Sequence, residues 1–434
     1  MRIGILIALL ILALSAAGAM AATPKPAASG SIEGQIMDEQ GNAVIRYAGL
    51  VPPKLPSHRL FGLILGLHGK GGDEKQQIGR ISKALESNEL SGQYMILGLK
   101  SKNESWEDGD SEPVAKAIAW AMKEYPIDAR RVYAWGFSSG SFFTGKFGPK
   151  HPELLAGGVI QCGGIFSVPK TEDDAAEPAF QFYIIHGEKD AMVDVKVSHD
   201  SCQHLTDGKY HFVYRELTGD DHGLGGPGGN PARHDAIRYM NAIRNRVIPL
   251  SEAEKKIVDE MIAKLTSGKM NPPISAYAPF LNLAGPETDA AVVLMLQSVK
   301  PEIRLNGVAL CQQRLYGKPV LDALPALLKD KDGKVRTGAI RALGMAADFQ
   351  RPDAVAALAT LAKDTMASLV DRTNAAGQLG LTMTLQLYCV NHDAGIFGVM
   401  NDLLEDKNSQ IKGLAKVSLD GKLAFDGQRY QVEQ

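Results

Sequence analysis

The chain has 434 residues, of which 45% are hydrophobic and 22% are charged, and its formal net charge is -2. This length exceeds that of one typical domain and predicts two compact cores. The small net charge gives no electrostatic reason to expect nucleic acid or an anionic membrane surface as a partner, so we predict neither. Four scattered cysteines are too few for a disulfide-built scaffold, and none has metal-ligand spacing.

The first residues resemble a secretory signal peptide. A positively charged start precedes an apolar block from Ile3 to Leu14, and small residues then provide cleavage sites after Ala19 or Ala21. An N-terminal membrane anchor is the alternative, but the block is shorter than the roughly 20 residues that span a bilayer. We therefore expect a secreted or periplasmic protein with no membrane attachment after cleavage. Export would permit a disulfide such as Cys162 to Cys202.

Short apolar runs alternate with helical patterns from Ser31 to about Pro249, which predicts an α/β domain. Ile32–Met37 and Ala43–Val51 flank a polar turn, which indicates an opening hairpin. The later strands are predicted at Phe61–Leu67, Tyr94–Leu99, Val132–Trp135, Gly158–Gln161, Phe182–Ile185 and Phe212–Leu217. These strands are apolar throughout, as expected when helices cover both faces of a mostly parallel sheet.

A glycine-rich loop follows the first internal strand and reads HGKGG from His68 to Gly72. If a nucleophile follows a later strand, the backbone N–H of Lys70 is a candidate donor to the oxyanion of a tetrahedral intermediate. An ordinary glycine-rich turn is the alternative for Gly71 and Gly72. We expect His68 to stabilise this loop rather than to transfer protons.

The pentapeptide GFSSG, from Gly136 to Gly140, has the pattern of a nucleophile elbow. In this turn a strand passes sharply into a helix, and the central serine takes a strained backbone conformation. The pattern makes Ser138 the candidate nucleophile and the Ser139 N–H the second oxyanion donor. An ordinary strand-to-helix turn remains the alternative, because small residues recur by chance in a chain with 45 glycines.

A serine nucleophile needs a base and a carboxylate that orients the base, and an elbow-bearing fold orders them serine, acid, histidine. Asp190, in the loop after Phe182–Ile185, is the predicted acid, and His222, in the loop after the last strand, is the predicted base. The rival residues for these roles are Asp194 and Glu188 for the acid, and His234, His186, His199 and His204 for the base.

Together these motifs give a resemblance to the α/β-hydrolase fold over residues 31 to about 245. LHGKGG, GFSSG and HGEKDAMV at His186–Val193 are similar to segments of the secreted esterase group that contains polyhydroxybutyrate depolymerases and feruloyl esterases. The chain departs from this group in having Lys70 where a cysteine is frequent and Gly223-Leu224 where an aromatic residue is frequent. The resemblance implies a serine esterase with no metal and no cofactor.

Beyond Ile248 the strand signals stop and a helical pattern repeats. Residues Leu327–Asp330, Val335, Arg336 and Ala339 recur at identical offsets as Leu403–Asp406, Ile411, Lys412 and Ala415. Ser298, Ile303, Arg304 and Gly307 fit the same template, and Leu361, Asp364, Arg372 and Ala375 fit it with two residues inserted. The units resemble HEAT-type repeats, which implies a stack of about four helix pairs tied by aspartate and arginine. A generic helical bundle is the alternative.

The expected domains are a signal peptide at 1–21, a lead-in at 22–30, a hydrolase domain at 31–249, a helical linker at 250–284, HEAT-like repeats at 285–425 and a tail at 426–434. The predicted function is hydrolysis of a small or polymer-linked carboxylic ester by Ser138, His222 and Asp190. Two alternatives stay open: a serine peptidase of the same fold, and a binding protein whose helical repeats contact a protein or polymer.

Overall fold

The computed structural model describes residues 29–53, 60–169, 179–267, 274–425 and 430–432. The predicted signal peptide, nearly all of the predicted lead-in and most of the predicted tail lie outside these residues. The chain divides into two compact units. One contains Met1–Tyr214 and Gly219–Lys255, and the other contains Arg215–Thr218 and Lys256–Gln434.

The first unit is built on an eight-stranded sheet with the order β1-β2-β4-β3-β5-β6-β7-β8. Its strands are β1 Gly30–Met37, β2 Ala43–Val51, β3 Phe61–Leu67, β4 Tyr94–Leu99, β5 Ile127–Phe137, β6 Gly157–Gln161, β7 Gln181–Gly187 and β8 Phe212–Leu217. Strand β2 pairs antiparallel with both β1 and β4, whereas β4, β3, β5, β6 and β7 pair in parallel. The predicted opening hairpin and mostly parallel sheet are therefore confirmed.

Helices cover both faces of this sheet, because every residue of β3, β4, β6 and β7 is buried. They are α1 Ile78–Ser87, α2 Ser111–Glu124, α3 Ser139–Phe147, α4 Lys196–Asp207 and α5 Gly229–Ala242, with short 3₁₀ helices at Asp108–Asp110 and Gly148–Lys150. A parallel sheet enclosed by helices, with a sharp corner between its central strand β5 and helix α3, is the α/β-hydrolase fold.

Strand β5 begins five residues before the predicted run at Val132. The added residues include Arg130 and Arg131, whose charges argue against a buried strand when the sequence is read alone. In the folded chain Arg130 pairs with Glu254 at 2.8 Å, and the Arg131 guanidinium lies 4.6 Å from the centroid of the Tyr94 ring. These partners let a polar segment join the sheet.

The second unit is helical over most of its described length. Its helices are α6 Glu252–Ser267, α7 Pro286–Leu296, α8 Pro301–Cys311, α9 Lys318–Ala323, α10 Gly333–Asp348, α11 Pro352–Lys363, α12 Leu369–Gln386, α13 Ala394–Leu403 and α14 Ser409–Leu419, with 3₁₀ helices at Ile274–Leu281 and Leu324–Lys329. The helical fold class predicted for this part of the chain is confirmed, and after the last helix a short hairpin that the sequence analysis did not predict pairs β9 Leu423–Phe425 antiparallel with β10 Tyr430–Val432. Strands of three residues are too short to produce a detectable alternation.

A ladder of arginine–aspartate ion pairs runs through this helical unit. Arg304 binds Asp330 at 2.6 Å, Arg336 binds Asp371 at 2.8 Å, and Arg372 binds Asp406. The apolar positions of the sequence template, Val335, Ala339, Ile411 and Ala415, are fully buried. The HEAT-type assignment itself stays a prediction.

No helix in the described ranges is both long enough and apolar enough to cross a lipid bilayer.

The cysteines of the described chain form no disulfide, so the bridge that export would permit between Cys162 and Cys202 is absent. Cys162 is instead fully buried beside Asp190, and this carboxylate contributes to raising the pKa of the thiol, after burial.

Candidate active site

Ser138 occupies the sharp corner between β5 and α3, with φ 51° and ψ -115°. This left-handed conformation is uncommon for a residue with a side chain and indicates local strain. The corner closes only because glycines flank it. A Cβ on Gly136 would lie 2.2 Å from the carbonyl oxygen of Gly140, and one on Gly140 would lie 2.4 Å from that of Leu67. The Ser138 N–H donates to the Gln161 carbonyl at 2.9 Å, which holds the corner against β6.

Asp190 and His222 meet in space although 32 residues separate them in sequence. The Nδ1 atom of His222 donates to Oδ2 of Asp190 at 2.7 Å, and the carboxylate is fully enclosed. Gly187 makes the approach of the two loops possible, since a Cβ there would lie 2.5 Å from the carbonyl oxygens of Asp220 and Asp221. With Nδ1 as the donor, Nε2 of His222 is left to accept a proton.

The Asp190 carboxylate is held in the ionised form. Burial opposes ionisation, but backbone N–H donors at Val193 and Met192 and the His222 imidazole together lower the pKa of Asp190. The Met192 and Val193 N–H groups donate to Oδ1 at 2.8 and 2.9 Å. One oxygen is thus fixed by the backbone while the other faces the imidazole, which is the arrangement that orients a general base.

Phe137 connects Ser138 to the imidazole. Its ring centroid lies 4.9 Å from that of His222, and it immediately precedes Ser138 in the chain. Gly69, in the glycine-rich loop, is also close, because a Cβ there would lie 3.3 Å from Cβ of Ser138. Within the described ranges the Ser138 hydroxyl forms no hydrogen bond, so no other acceptor holds it away from the imidazole. The hydrogen bond between a nucleophilic serine and its base is often long in structures without substrate.

Two residues at the acid were missed as functional candidates by sequence reasoning. His186, which we considered only as a rival base, has Nε2 3.2 Å from Oδ2 of Asp190 and 2.9 Å from the Val193 carbonyl, so this nitrogen carries the proton. Its Nδ1 accepts from the Ser198 hydroxyl at 2.6 Å. Burial lowers the pKa of His186, which keeps this histidine neutral. The other residue is Cys162, and only its position directly after β6 could have indicated it.

The rival acids and bases have other partners. Asp194 accepts the Lys196 N–H at 2.9 Å, and Glu188 accepts the Gly219 N–H at 2.8 Å. His234 binds the Ser87 carbonyl at 3.2 Å, while His199 and His204 lie on α4. Asp190 contacts two of the candidate histidines, His222 at 2.7 Å and His186 at 3.2 Å, and of these two the His222 ring packs against Phe137, the residue before Ser138.

The glycine-rich loop leaves one backbone donor available. The Gly69 N–H binds Gln76 at 2.8 Å, the Gly71 N–H binds the Glu104 carbonyl at 2.8 Å, and the Gly72 N–H binds the Gly69 carbonyl at 3.0 Å. The Lys70 N–H has no hydrogen-bond partner among the described residues, and the same holds for the Ser139 N–H at the start of α3. These are the two donors that the sequence analysis selected.

His68 and Trp106 hold this loop in place through hydrogen bonds. His68 is fully buried, and its Nε2 accepts from the backbone N–H of Ser101 at 3.1 Å. The Trp106 indole donates to the His68 carbonyl at 2.9 Å, and its backbone N–H donates to the Ser139 hydroxyl at 3.1 Å. Burial lowers the pKa of His68, so the ring is neutral, as expected for a residue with a stabilising role.

Cys162, Asp190 and His222 also place three potential metal ligands within 4.8 Å of one another. Thiolate, carboxylate and imidazole are a ligand set that suits zinc. The thiol must lose its proton to bind a metal, however, and burial raises the pKa of Cys162. The carboxylate and imidazole are already bonded to each other.

Comparison with known proteins gives short matches to acetylxylan esterases. The chain is 36% identical over 55 residues to acetylxylan esterase A of Aspergillus ficuum, which covers 13% of this chain and 18% of the relative. It is 33% identical over 69 residues to acetylxylan esterase A of Emericella nidulans, which covers 15% and 23%. The chain thus spans less than a quarter of the length of either relative. No family model matches the chain.

Two solved structures are similar over about half of the chain. A thermostable esterase is 21% identical with a TM-score of 0.40 and covers 49% of this chain and 63% of its own. A ferulic acid esterase from Anaeromyces mucronatus is 13% identical with a TM-score of 0.37 and covers 49% and 90%. The order and direction of the strands define the fold of this chain without these two structures.

Proposed function

We propose that this protein is a serine hydrolase that cleaves carboxylic esters through an acyl-enzyme intermediate. The observation that supports this function best is the 2.7 Å hydrogen bond between His222 and Asp190, formed next to a serine with φ 51° at a strand-to-helix corner. A strained, partly exposed serine beside an oriented imidazole is the arrangement that activates a hydroxyl group.

In the proposed mechanism the Ser138 Oγ attacks the ester carbonyl while Nε2 of His222 takes the hydroxyl proton. The oxyanion of the tetrahedral intermediate accepts hydrogen bonds from the N–H groups of Ser139 and Lys70. Collapse of the intermediate breaks the bond to the alcohol, which leaves with the proton from His222. A water molecule then repeats the sequence on the acyl-enzyme, and Asp190 stabilises the imidazolium in both halves.

We propose short-chain esters, and acetyl esters first, as the substrate class. The matched relatives are named acetylxylan esterases, and the chain resembles feruloyl esterases and polyhydroxybutyrate depolymerases in its motifs. A hydrolysis screen with p-nitrophenyl acetate, acetylated sugars, methyl ferulate and hydroxybutyrate oligomers separates these possibilities. A kcat/KM for acetyl esters well below that for feruloyl or hydroxyalkanoate esters would contradict the acetyl assignment.

We further propose that residues 1–21 direct export and that the helical unit contacts a protein or a polymer. The first proposal rests on the sequence pattern alone, and the second rests on the usual role of stacked helix pairs. Intact mass of the exported protein tests the first, because cleavage after Ala19 or Ala21 leaves a chain that begins at Met20 or Ala22.

The central test is Ser138→Ala. Removal of the nucleophile should lower kcat on p-nitrophenyl acetate by about a thousandfold or more. The thermal midpoint should stay close to that of the parent, since the Ser138 hydroxyl has no hydrogen bond to lose in the described chain. A variant that keeps the parental rate would refute the assignment of the nucleophile.

The two alternatives give different outcomes. A serine peptidase would cleave peptide p-nitroanilides faster than p-nitrophenyl acetate, whereas an esterase shows the reverse order. A binding protein with an inactive hydrolase domain would fail to react with a tagged fluorophosphonate. Labelling of the parent chain but not of Ser138→Ala is the result that the proposed function requires.

A further inference from the structure

A cluster of positive charge lies between α1 and α5, outside the residues assigned to catalysis. Arg80 and Lys83 are one turn apart on α1, and Asn230 and Arg233 are one turn apart on α5. These four residues, with Gly79, Ala84 and Ser87, line a cavity of about 260 Å³. The lining contains three cationic side chains and no carboxylate.

The guanidinium groups in this cavity have unmet hydrogen-bonding capacity. Arg233 is only 7% exposed, and its Nε atom is buried without a partner. The Nη1 atom of Arg80 is also buried without a partner, and in the described chain Arg80 forms neither an ion pair nor a hydrogen bond. Buried charges are normally paired, because transfer from water to the protein interior is costly unless a counter-charge or hydrogen bonds replace the water.

The Asp220 carboxylate acts electrostatically on Arg233, as does Arg80. Burial and the neighbouring Arg80 lower the pKa of Arg233, while Asp220 acts in the opposite direction. Asp220 forms no ion pair with Arg233 among the described residues, and its Oδ1 instead accepts the Gly226 N–H at 2.5 Å. Arg233 itself donates from Nη2 to the carbonyls of Gly223 and Leu224 at 2.8 and 3.1 Å and from Nη1 to Oδ1 of Asn230 at 3.3 Å, which leaves its Nε atom without a partner.

We infer that the cavity between α1 and α5 is a binding site for a small oxyanion, such as a carboxylate or phosphate group. The buried Arg233 forms the floor, Arg80 supplies a second guanidinium, and the exposed Lys83 and Asn230 stand at the entrance. Planar guanidinium groups bind carboxylate and phosphate oxygens through paired hydrogen bonds, and the lysine adds a point charge.

This site is joined to the proposed reaction centre by two contacts. The Arg80 guanidinium lies 5.1 Å from the centroid of the Phe137 ring, and the same ring packs against His222. Arg233 holds the carbonyls of the two residues that follow His222. A bound anion therefore restrains both the ring beside Ser138 and the loop that carries the imidazole.

The first test measures binding without activity. Thermal midpoints of the full chain are compared in sodium phosphate and in sodium chloride at equal ionic strength. Saturating phosphate should raise the midpoint of the parent by roughly 3 °C. The double variant R80Q/K83Q should lose this saturable shift, whereas K123Q, which removes an exposed lysine from α2, should keep it. Equal shifts in all three proteins, or no shift in the parent, would overturn the inference.

A second measurement identifies the source of the oxyanion, and this arm rests on the proposed esterase function. The rates for mono-p-nitrophenyl succinate, which carries a free carboxylate, are compared with those for neutral p-nitrophenyl butyrate. If the anion belongs to the substrate, the ratio of kcat/KM for the succinate ester to kcat/KM for the butyrate ester should fall at least tenfold in R80Q/K83Q. If a free anion binds, phosphate stabilises the parent and both esters change equally.

Failure of the inference and failure of the proposed function are distinguishable. If the parent hydrolyses neither ester but phosphate still raises its thermal midpoint, the esterase function is refuted and the anion site is supported. If the parent hydrolyses the neutral ester but phosphate does not raise its thermal midpoint, the anion site is refuted and the esterase function is supported.

Discussion

Gly136 has no room for a side chain, and of the two glycines of the elbow it would bring an added Cβ closest to a backbone oxygen. We expect Gly136→Ala to destabilise the protein by several kcal/mol, because its Cβ would lie 2.2 Å from a backbone oxygen that belongs to the same tight corner. Gly92→Ala is the matched control, since a Cβ there has no neighbour within 4 Å. Urea unfolding of both variants checks the prediction, and equal midpoints would contradict it.

His186 should act as a positioning residue for Asp190. His186→Leu removes the N–H group 3.2 Å from the carboxylate, and we expect about a tenfold fall in kcat for ester hydrolysis. His186→Gln retains an N–H donor at a similar reach and should recover most of the rate. If the leucine and glutamine variants lose activity to the same extent, the effect is one of packing rather than of hydrogen bonding.

At the residue scale the sequence predicts the elbow well, because its glycines and serine are contiguous. Asp190 and His222 follow from chain order and from their positions after strands, and the structure joins them at 2.7 Å. Cys162 and the role of His186 do not follow from the sequence. Cys162 reaches Asp190 because β6 and β7 pair, which no local pattern encodes, whereas His186 lies four residues before Asp190 and its role needed the side-chain geometry.

Among the larger elements, the ion-pair ladder of the helical unit predicts a dependence of stability on pH. The hydrogen bond from Arg304 lowers the pKa of Asp330, so the folded chain holds this proton less tightly than the unfolded chain. The stabilisation is complete above the ordinary aspartate pKa of about 4 and is lost as the pH falls through the lower folded value.

Asp330→Asn should therefore cost about 2 kcal/mol of unfolding free energy at pH 7. The difference between parent and variant should be smaller at an acid pH, reached by titrating below the ordinary aspartate pKa of about 4 and through the lowered folded value, than at pH 7. Urea unfolding followed by circular dichroism at both pH values provides the measurement. A difference that is independent of pH would show that the ion pair does not cause the loss.

The sequence predicts the bounds of a strand where that strand is apolar. It fails where polar residues of a strand need partners that are distant in the chain. Strands β3, β4 and β8 have the bounds that alternation and apolar runs predict. The start of β5 is not predicted, because its arginines need partners from other parts of the chain. In the third predicted repeat two residues are inserted between Asp364 and Arg372, and Arg336 pairs with Asp371 rather than with Asp364.

For the molecule as a whole, the cysteines predict insensitivity to reducing agents. None of the four forms a disulfide, and Cys162 and Cys311 are buried. Burial raises the pKa of Cys311 to about 12, and it also raises that of Cys162. Dithiothreitol should leave the thermal midpoint unchanged, and Ellman's reagent should modify these two thiols only after unfolding. A lower midpoint under reducing conditions would mean that the purified protein contains a disulfide.

The length of the chain and the change from alternating strands and helices to a helical pattern predict two cores, and the described chain divides into two compact units. The sequence places the end of the hydrolase domain at residue 249, whereas the contact boundary lies between Lys255 and Lys256. A separate segment, Arg215–Thr218, groups with the second unit. Three of its four residues, Arg215 to Leu217, belong to β8, which the sequence assigns wholly to the first domain, and only contacts between residues distant in sequence could reveal the difference.

The bonds of Trp106 give this protein a built-in optical reporter. Its indole lies 5.1 Å from the His68 ring, binds the carbonyl that precedes Gly69, and is linked through its backbone to Ser139. The chain has only two other tryptophans, Trp120 and Trp135. Replacing both with phenylalanine should leave one emitter whose quantum yield changes when the proposed acyl group is bound to Ser138, so the proposed turnover could be followed in real time with unlabelled, natural esters.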